Sequence, residues 1–327
     1  MKVCFLDQTD FKYSQADRYS PKLRGAETIL INLTIELKKL GHDVTVINNC
    51  PEINESNWIN IKKMKKDNII YDLAISNADA RLFDKITAKK KVVLSYSLQS
   101  IEKFIRKKQL IAYLKHKPTY FLIGEYHKKN RSKLISLFGT NILNLSVDDI
   151  FLETELNKKI IKNQAVFTSR ADRNLELLLQ IWKNKIYPRN NNINLLVTPY
   201  KSIDNNFNIF HRKMNTQQNL INDLISSKIF LVPGHKAELF CLAAEEAKEL
   251  CLPVVTLGIG SLSERVIHGK TGFIAKNQNE FAEHAIELFK NDKLWNQIRN
   301  NLINLRGKNN WKSSTVNFLE KVELIKN

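Results

Sequence analysis

No apolar run in this 327-residue chain approaches the ~20 residues that a membrane-spanning helix needs, which excludes such a helix. The N-terminus turns acidic at Asp7 after a short apolar stretch and lacks the ~7–15-residue apolar region of a secretory signal, so a soluble, cytoplasmic protein is expected. Cysteine is scarce. Cys4, Cys50, Cys241 and Cys251 form no CxxC pair and have no histidine at zinc-finger spacing, which argues against a metal or disulfide framework and for buried, reduced thiols. No short-period repeat is detectable. Acidic residues fall well short of basic ones, 33 against 51, leaving a net charge of +18.

Such an excess would suit a phosphate-rich partner, but Lys, Asn and Ile are abundant throughout, as an AT-rich coding sequence produces. Local clustering says more. Between Ile101 and Lys133, ten Lys/Arg face two acids, Glu102 and Glu125, with Phe104, Leu110, Ile111, Tyr113 and Leu114 interleaved. Three readings stand: a solvated helix face, contact with an anionic membrane surface or charged acceptor, and, last because no recognised binding motif accompanies the charge, nucleic acid.

The length fits two domains of roughly 150 residues each, with a cleft between them. Val3–Asp7 reads as a buried strand followed by a long polar loop to about Leu23. A helix is predicted from Gly25, with Ile29, Leu33, Leu37 and Leu40 recurring every three to four residues and Gly41 as its stop, before a strand at Val44–Asn48. This β–loop–α–β opening, with further short strands at Tyr71–Ser76, Lys91–Ser95, Tyr120–Ile123 and Asn141–Leu145, predicts a doubly wound parallel sheet. The polar stretch from Asp148 to Gln164 is the expected crossing, giving domains 1–150 and 151–311. Strand and helix then alternate again: strands at Ala165–Ser169, Ile193–Pro199, Lys228–Val232, Pro253–Leu257 and Gly272–Ala275, helices at Arg173–Lys183, Thr216–Ser227, Phe240–Leu250 and Ser261–His268. Beyond Asn279 the pattern is helical.

The most informative stretch runs from Lys228 to Ala275. Glu238 falls between a strand and a helix, and Glu246 lies eight residues on, within that helix. Carboxylates at a strand's carboxyl edge accept hydrogen bonds from vicinal hydroxyls, and helix N-terminal amides near Phe240, Cys241 and Leu242 suit an oxygen-rich anion. The plainer alternative is a capping Glu238 and a solvated Glu246. A second loop, TLGIGSLSERV, lets backbone approach a ligand at Gly258 and Gly260, with Ser261 as a cap for the next helix; Glu264 is either a first-turn residue or a ligand contact, and Arg265 is expected on the surface.

This stretch resembles the donor-binding signature of family-4 glycosyltransferases with the GT-B fold: Glu, seven residues, Glu, then a Pro-Val-Val strand, a glycine loop with a downstream Glu, and Gly-x-Thr-Gly-Phe. Here these are Glu238, Glu246, Pro253–Val255, Gly260–Ser261 with Glu264, and Gly269–Phe273. FTSRADRNL at 167–175 resembles the family's other C-domain element, and LRGAETILINL at 23–33 its glycine loop and first helix. The chain departs from the family pattern at Leu239 and Cys241, where glycines are usual, and after the strand in VLSYSLQS, where Tyr96, Ser97 and Gln99 stand in place of a histidine.

The resemblance implies two Rossmann-like domains facing a central cleft, with the helix at about 312–327 packing back on the first. It implies retaining transfer of a sugar from a nucleoside-diphosphate sugar, UDP slightly favoured over GDP, to a glycan or lipid-linked acceptor, with no other cofactor. Glu238 and Arg173 would be catalytic, Glu238 orienting the sugar and Arg173, with Ser169 and Arg170, meeting the diphosphate. Glu246 would bind ribose, Gly260 and Ser261 the sugar or diphosphate, and Gly25 and Ala26 the phosphates and acceptor from the other domain. Ser97, Gln99 and His127 are acceptor-side candidates; His127 is conceivable as a base, but a histidine among lysines is more often simply a surface residue. The absence of an Asp-x-Asp pair predicts no metal. A catalytically inactive nucleotide-sugar-binding protein and a basic nucleic-acid-binding protein are the alternatives.

Overall fold

The computed structural model describes residues 1–20, 23–51, 57–64, 69–156, 161–200, 205–213 and 216–325. Parts of the long loop after the first strand, of the Asp148–Gln164 stretch and of the C-terminal helix therefore lie outside the described residues. The chain divides into two compact units, residues 1–145 with 311–327, and residues 146–310. The division falls five residues ahead of the expected 150/151 boundary.

In the N-terminal unit the elements are β1 (Lys2–Leu6), α1 (Gly25–Lys39), β2 (Asp43–Asn48), β3 (Trp58–Asn60), β4 (Ile70–Asn77), β5 (Thr87–Leu94), α2 (Ile101–Arg106), α3 (Gln109–His116), β6 (Thr119–Leu122), α4 (Glu125–Asn130) and β7 (Thr140–Ile142). All strands pair in parallel in the order β3-β2-β1-β4-β5-β6-β7, so the direction of winding reverses between β1 and β4. β1 is central, which is why Val3, Cys4, Phe5 and Leu6 are all apolar and fully buried. Gly41, at φ +82, ends α1: its N–H bonds Lys38 O and that of His42 bonds Leu37 O, the paired pattern that only a left-handed residue permits. The edge strand β3 escapes sequence reading because Trp58 is its one fully buried side chain.

The second unit holds α5 (Asp149–Glu153), β8 (Gln164–Phe167), α6 (Leu175–Ile181), β9 (Asn194–Val197), β10 (Ile209–His211), α7 (Gln217–Ile225), β11 (Ile229–Leu231), α8 (Leu242–Glu249), β12 (Val254–Thr256), α9 (Leu262–Arg265), β13 (Gly272–Ile274), α10 (Gln278–Lys290) and α11 (Asp292–Leu305). Its sheet is also parallel, in the order β10-β9-β8-β11-β12-β13, with the reversal between β8 and β11. The expected crossing contains α5, whose Phe151 is buried in this unit's core. β10, with two of three side chains exposed, is again a short edge strand without a sequence signal.

The last helix, α12 (Trp311–Glu323), belongs to the first unit and packs against α1. Phe318 meets Phe121 of β6 edge-on with ring centroids 4.7 Å apart, and the Lys90 ammonium donates to the terminal carbonyls of Val322 and Glu323, both at 3.0 Å. Phe318→Ala removes a fully buried ring and should destabilise this unit by about 3–5 kcal/mol, read from the midpoint of denaturant unfolding. A loss below about 1 kcal/mol would mean that α12 contributes little to the fold.

Candidate active site

Ligands of open α/β sheets bind beyond the carboxyl ends of strands where the winding reverses. In the second unit that point lies between β8, which runs into Ser169, Arg170 and Arg173, and β11, which runs into Pro233–Cys241. Asn174, at φ +64, opens α6 and its side-chain amide donates to Gly234 O, tying the two loops together. Arg173 Nε lies 3.4 Å from Glu238 Oε2, while Glu238 Oε1 accepts the Cys241 backbone N–H at 3.2 Å. Arg173 also reaches Asp172 at 2.9 Å, and exposed Arg170 reaches the same carboxylate at 2.8 Å. Burial raises the Glu238 carboxyl above its ordinary value; the Arg173 charge and the Cys241 amide oppose that shift.

Glu246 is half-buried in the second turn of α8, and desolvation pushes its carboxyl up to about 7. Arg212, immediately after β10, opposes that shift, and Asp148 adds to it. Sequence reading missed both partners, because β10 carried no strand signal and Asp148 lay in the expected crossing.

The two glycine-containing loops meet backbone to backbone. Gly234 and Ile259 form a parallel bridge, and Ser261 N–H donates to Glu238 O at 2.9 Å. Gly260, at φ +74, has His235 O only 2.3 Å and Glu238 O 2.8 Å from where a Cβ would stand. Glu238, Gly260 and Ser261 are thus assembled as one structure, together with Arg173.

Several expectations are corrected. The amides at the start of α8 are not all free, because Glu238 takes that of Cys241. Ser261 does not cap α9: it makes no side-chain bond to the helix, and its hydroxyl is buried with no partner among the described residues. α9 is a single turn, so its dipole is small. Arg265 is not a plain surface residue: its guanidinium lies 4.5 Å over the Phe240 ring and 3.3 Å from Glu245. Glu264 pairs with Arg265 at 3.2 Å. Phe240 and Cys241 are buried and Leu242 half-buried, so their backbone rather than their side chains faces the loop. Cys241 keeps a left-handed backbone at φ +59, and its thiol lies against the Ser169 hydroxyl within the core.

In the first unit, Gly25 and Ala26 start α1, which follows β1 at the winding reversal. Gly25 is exposed and a Cβ there would meet nothing within 4 Å. Beside them is a buried polar cluster that sequence reading overlooked: Asp7 accepts from Tyr13 OH at 2.6 Å and from Asn77 Nδ2 at 3.2 Å, and burial holds its carboxyl above the ordinary value. His127 is not a surface residue. It is fully buried, its Nε2 3.0 Å from Ser97 O and its Nδ1 accepting Ile123 N–H at 3.4 Å, so the neutral Nε2–H tautomer fits both contacts. Desolvation lowers its pKa to about 4, and it holds the exposed Ser97 by its backbone. Gln99 is occupied by Gln109, to which it donates at 3.0 Å. All four cysteines are free and buried, and no group of three or more His, Cys, Asp or Glu among the described residues is placed to hold a metal ion.

Residues 153–304 match the family model described as Glycosyl transferases group 1. They carry the Ser169–Ser261 constellation, so the second unit is a glycosyltransferase domain. No curated protein matches the chain in sequence. Among solved structures the chain is similar to HepE from Anabaena in complex with UDP-glucose, at 12% identity over 99% of both chains with a TM-score of 0.69. It is similar to sucrose-phosphate synthase from Thermosynechococcus elongatus, at 13% identity over 98% of both chains with a TM-score of 0.67. It is also similar to WaaG, a glycosyltransferase involved in lipopolysaccharide biosynthesis, at 11% identity over 99% of this chain and all of that one, with a TM-score of 0.64. These likenesses establish the GT-B fold.

Gly25 and Gly260, one in each unit, should respond differently to a methyl group. Gly260→Ala forces a Cβ into backbone and should cost at least about 2 kcal/mol of stability. Gly25→Ala, in open space at a helix start, should leave stability unchanged or raise it by up to about 1 kcal/mol. Thermal melts of both variants test this; an unaffected Gly260→Ala protein would show that the two loops are not locked together.

Proposed function

We propose that the protein transfers a sugar from a nucleoside-diphosphate sugar, UDP favoured, to an acceptor hydroxyl with retention of anomeric configuration and without a metal ion. The observation that carries this reading is Glu238 held between Arg173 and the Cys241 amide at the β8/β11 reversal, with Glu246 further along α8. Support for the donor class comes from HepE, a neighbour of like fold solved with UDP-glucose.

In such a transfer the bond from anomeric carbon to phosphate oxygen breaks, and the acceptor oxygen bonds to that carbon as its hydroxyl proton is released. Negative charge grows on the departing diphosphate. Arg173 supplies the fixed positive charge to meet it, with Arg170 and Ser169 beside it. Glu238, already positioned by one hydrogen bond and one ion pair, orients the sugar hydroxyls, and Glu246 takes the ribose hydroxyls. Cys241 does not argue for an inactive protein, because it adopts the glycine-type backbone and buries its thiol. We infer that the acceptor is a cell-surface glycan or lipid-linked precursor reached at the inner face of a membrane, which the basic segment 101–133 contacts through its charge.

Arg173→Ala should lower kcat by about 10²–10³ while shifting the melting temperature by only a few degrees. Transfer should persist in excess chelator. Abolition by chelator with rescue by magnesium would overturn the metal-free mechanism.

Glu246 supplies a pH test. Its folded pKa of about 7 stands above the ordinary 4.5, so the folded state holds the proton more tightly and loses stability as pH rises through that window. Glu246→Gln removes this dependence and should be more stable than the parent by about 2–3 kcal/mol above neutral pH. Donor affinity of the parent should increase as pH rises through 7, where the carboxylate forms to accept ribose hydroxyls, and stay flat in the variant. Identical calorimetric profiles for the two proteins would remove Glu246 from the donor site.

A further inference from the structure

The segment 101–137 gathers exposed aliphatic side chains as well as charge. Of sixteen large hydrophobic residues exposed among the described ones, seven lie in these 37 residues. On α2 and α3 they include Ile105 (53% exposed), Ile111 (76%) and Leu114 (49%), and on the turn after α4 they are Leu134 and Leu137, both 66% exposed. The inward faces of the same elements are packed normally: Phe104, Ala112, Tyr113 and Ile135 are buried. Tyr113 joins the two stretches, its hydroxyl accepting Phe138 N–H at 3.3 Å and its ring lying tilted against that of Phe138 with centroids 4.8 Å apart. α3 and the turn that ends at Phe138 are therefore adjacent elements of the first unit, and both carry exposed aliphatics.

Around them stands an exposed basic rim, Lys103, Lys107, Lys108, Lys117, Lys129 and Lys133 among it. Arg131 does not belong to the rim, being buried against Tyr120 with its guanidinium 4.3 Å from that ring. A solvated helix face accounts for the lysines but not for a concentration of exposed isoleucine and leucine. A second copy of the chain would bring the same positive rim against this one, and like charges repel. An anionic bilayer complements both features, taking the aliphatics below its headgroups and the lysines among them. No helix of the described residues is long and apolar enough to cross a membrane.

We propose that α2, α3 and the 134–137 turn form a surface that inserts Ile105, Ile111, Leu114, Leu134 and Leu137 into the outer part of an anionic lipid bilayer. This rests on the membrane contact inferred above and deepens it from charge attraction to partial insertion; it does not depend on the sugar or nucleotide.

The test uses the full chain and phosphatidylcholine vesicles with and without phosphatidylglycerol. The parent should co-sediment with the anionic vesicles, and a fraction should stay bound at high salt. Ile111→Ser/Leu114→Ser/Leu137→Ser should lose that salt-resistant fraction, with at least about a tenfold drop in partition, as expected for three exposed aliphatics. Lys103→Gln/Arg106→Gln/Lys107→Gln/Lys108→Gln should weaken binding chiefly at low salt. Ile111→Trp should show a blue-shifted emission on anionic vesicles only. Parent-like, salt-resistant binding by the serine variant, or an unshifted tryptophan, overturns insertion while leaving charge attraction standing. Absence of binding by the parent overturns both. Concentration-dependent self-association that the serine substitutions abolish would assign the surface to a second copy instead. Donor binding by calorimetry should be equal in all these proteins, which separates this surface from the sugar-nucleotide site.

Discussion

The contact on which the candidate site depends is the backbone apposition of the loops after β11 and β12. Gly260 lies against His235 O and Glu238 O with no room for a Cβ, and the Ser261 N–H to Glu238 O bond and the Gly234–Ile259 bridge close the same seam. Glycine is required there on steric grounds alone. Because the seam fixes the Glu238 backbone, the carboxylate has a fixed starting point from which to meet Arg173, and Asn174 anchors the third loop to Gly234.

Electrostatics then divides the two glutamates. Glu238 loses solvation on burial but is compensated by a guanidinium and a backbone amide, whereas Glu246 has the more distant influence of Arg212 and the opposing one of Asp148. A carboxyl pushed up to about 7 in the unliganded protein gains when hydroxyl donors arrive to stabilise its charged form. The second unit thus contains one carboxylate held by a guanidinium and a backbone amide and one whose charged form is opposed by burial.

The first unit uses its interior polar groups differently. His127 is held neutral and buried, tying Ser97 to the β6–α4 turn, and Asp7 is satisfied by Tyr13 and Asn77 beside the start of α1. Both devices fix loops at the carboxyl edge of this sheet. The outward side of the unit is of another character, with aliphatics and lysines exposed together on α2 and α3.

By itself the sequence determined the two parallel sheets and most of their strands, because central strands such as β1 and β12 are short continuous apolar runs separated by helical periodicity. It also determined the Glu238–Glu246 spacing and the glycine loop, since turn chemistry is local. Only tertiary structure decided what these residues meet. The edge strands β3 and β10 exist through pairing rather than through hydrophobic pattern, and Arg212 acts on the Glu246 carboxyl only because β10 forms. His127 looked like one more polar residue among lysines, yet its burial follows from α4 packing on β6. Arg265 was likewise misjudged from its neighbours in the chain. Charge state, burial and hydrogen-bond partner arise from groups distant in sequence, so local pattern carries no record of them.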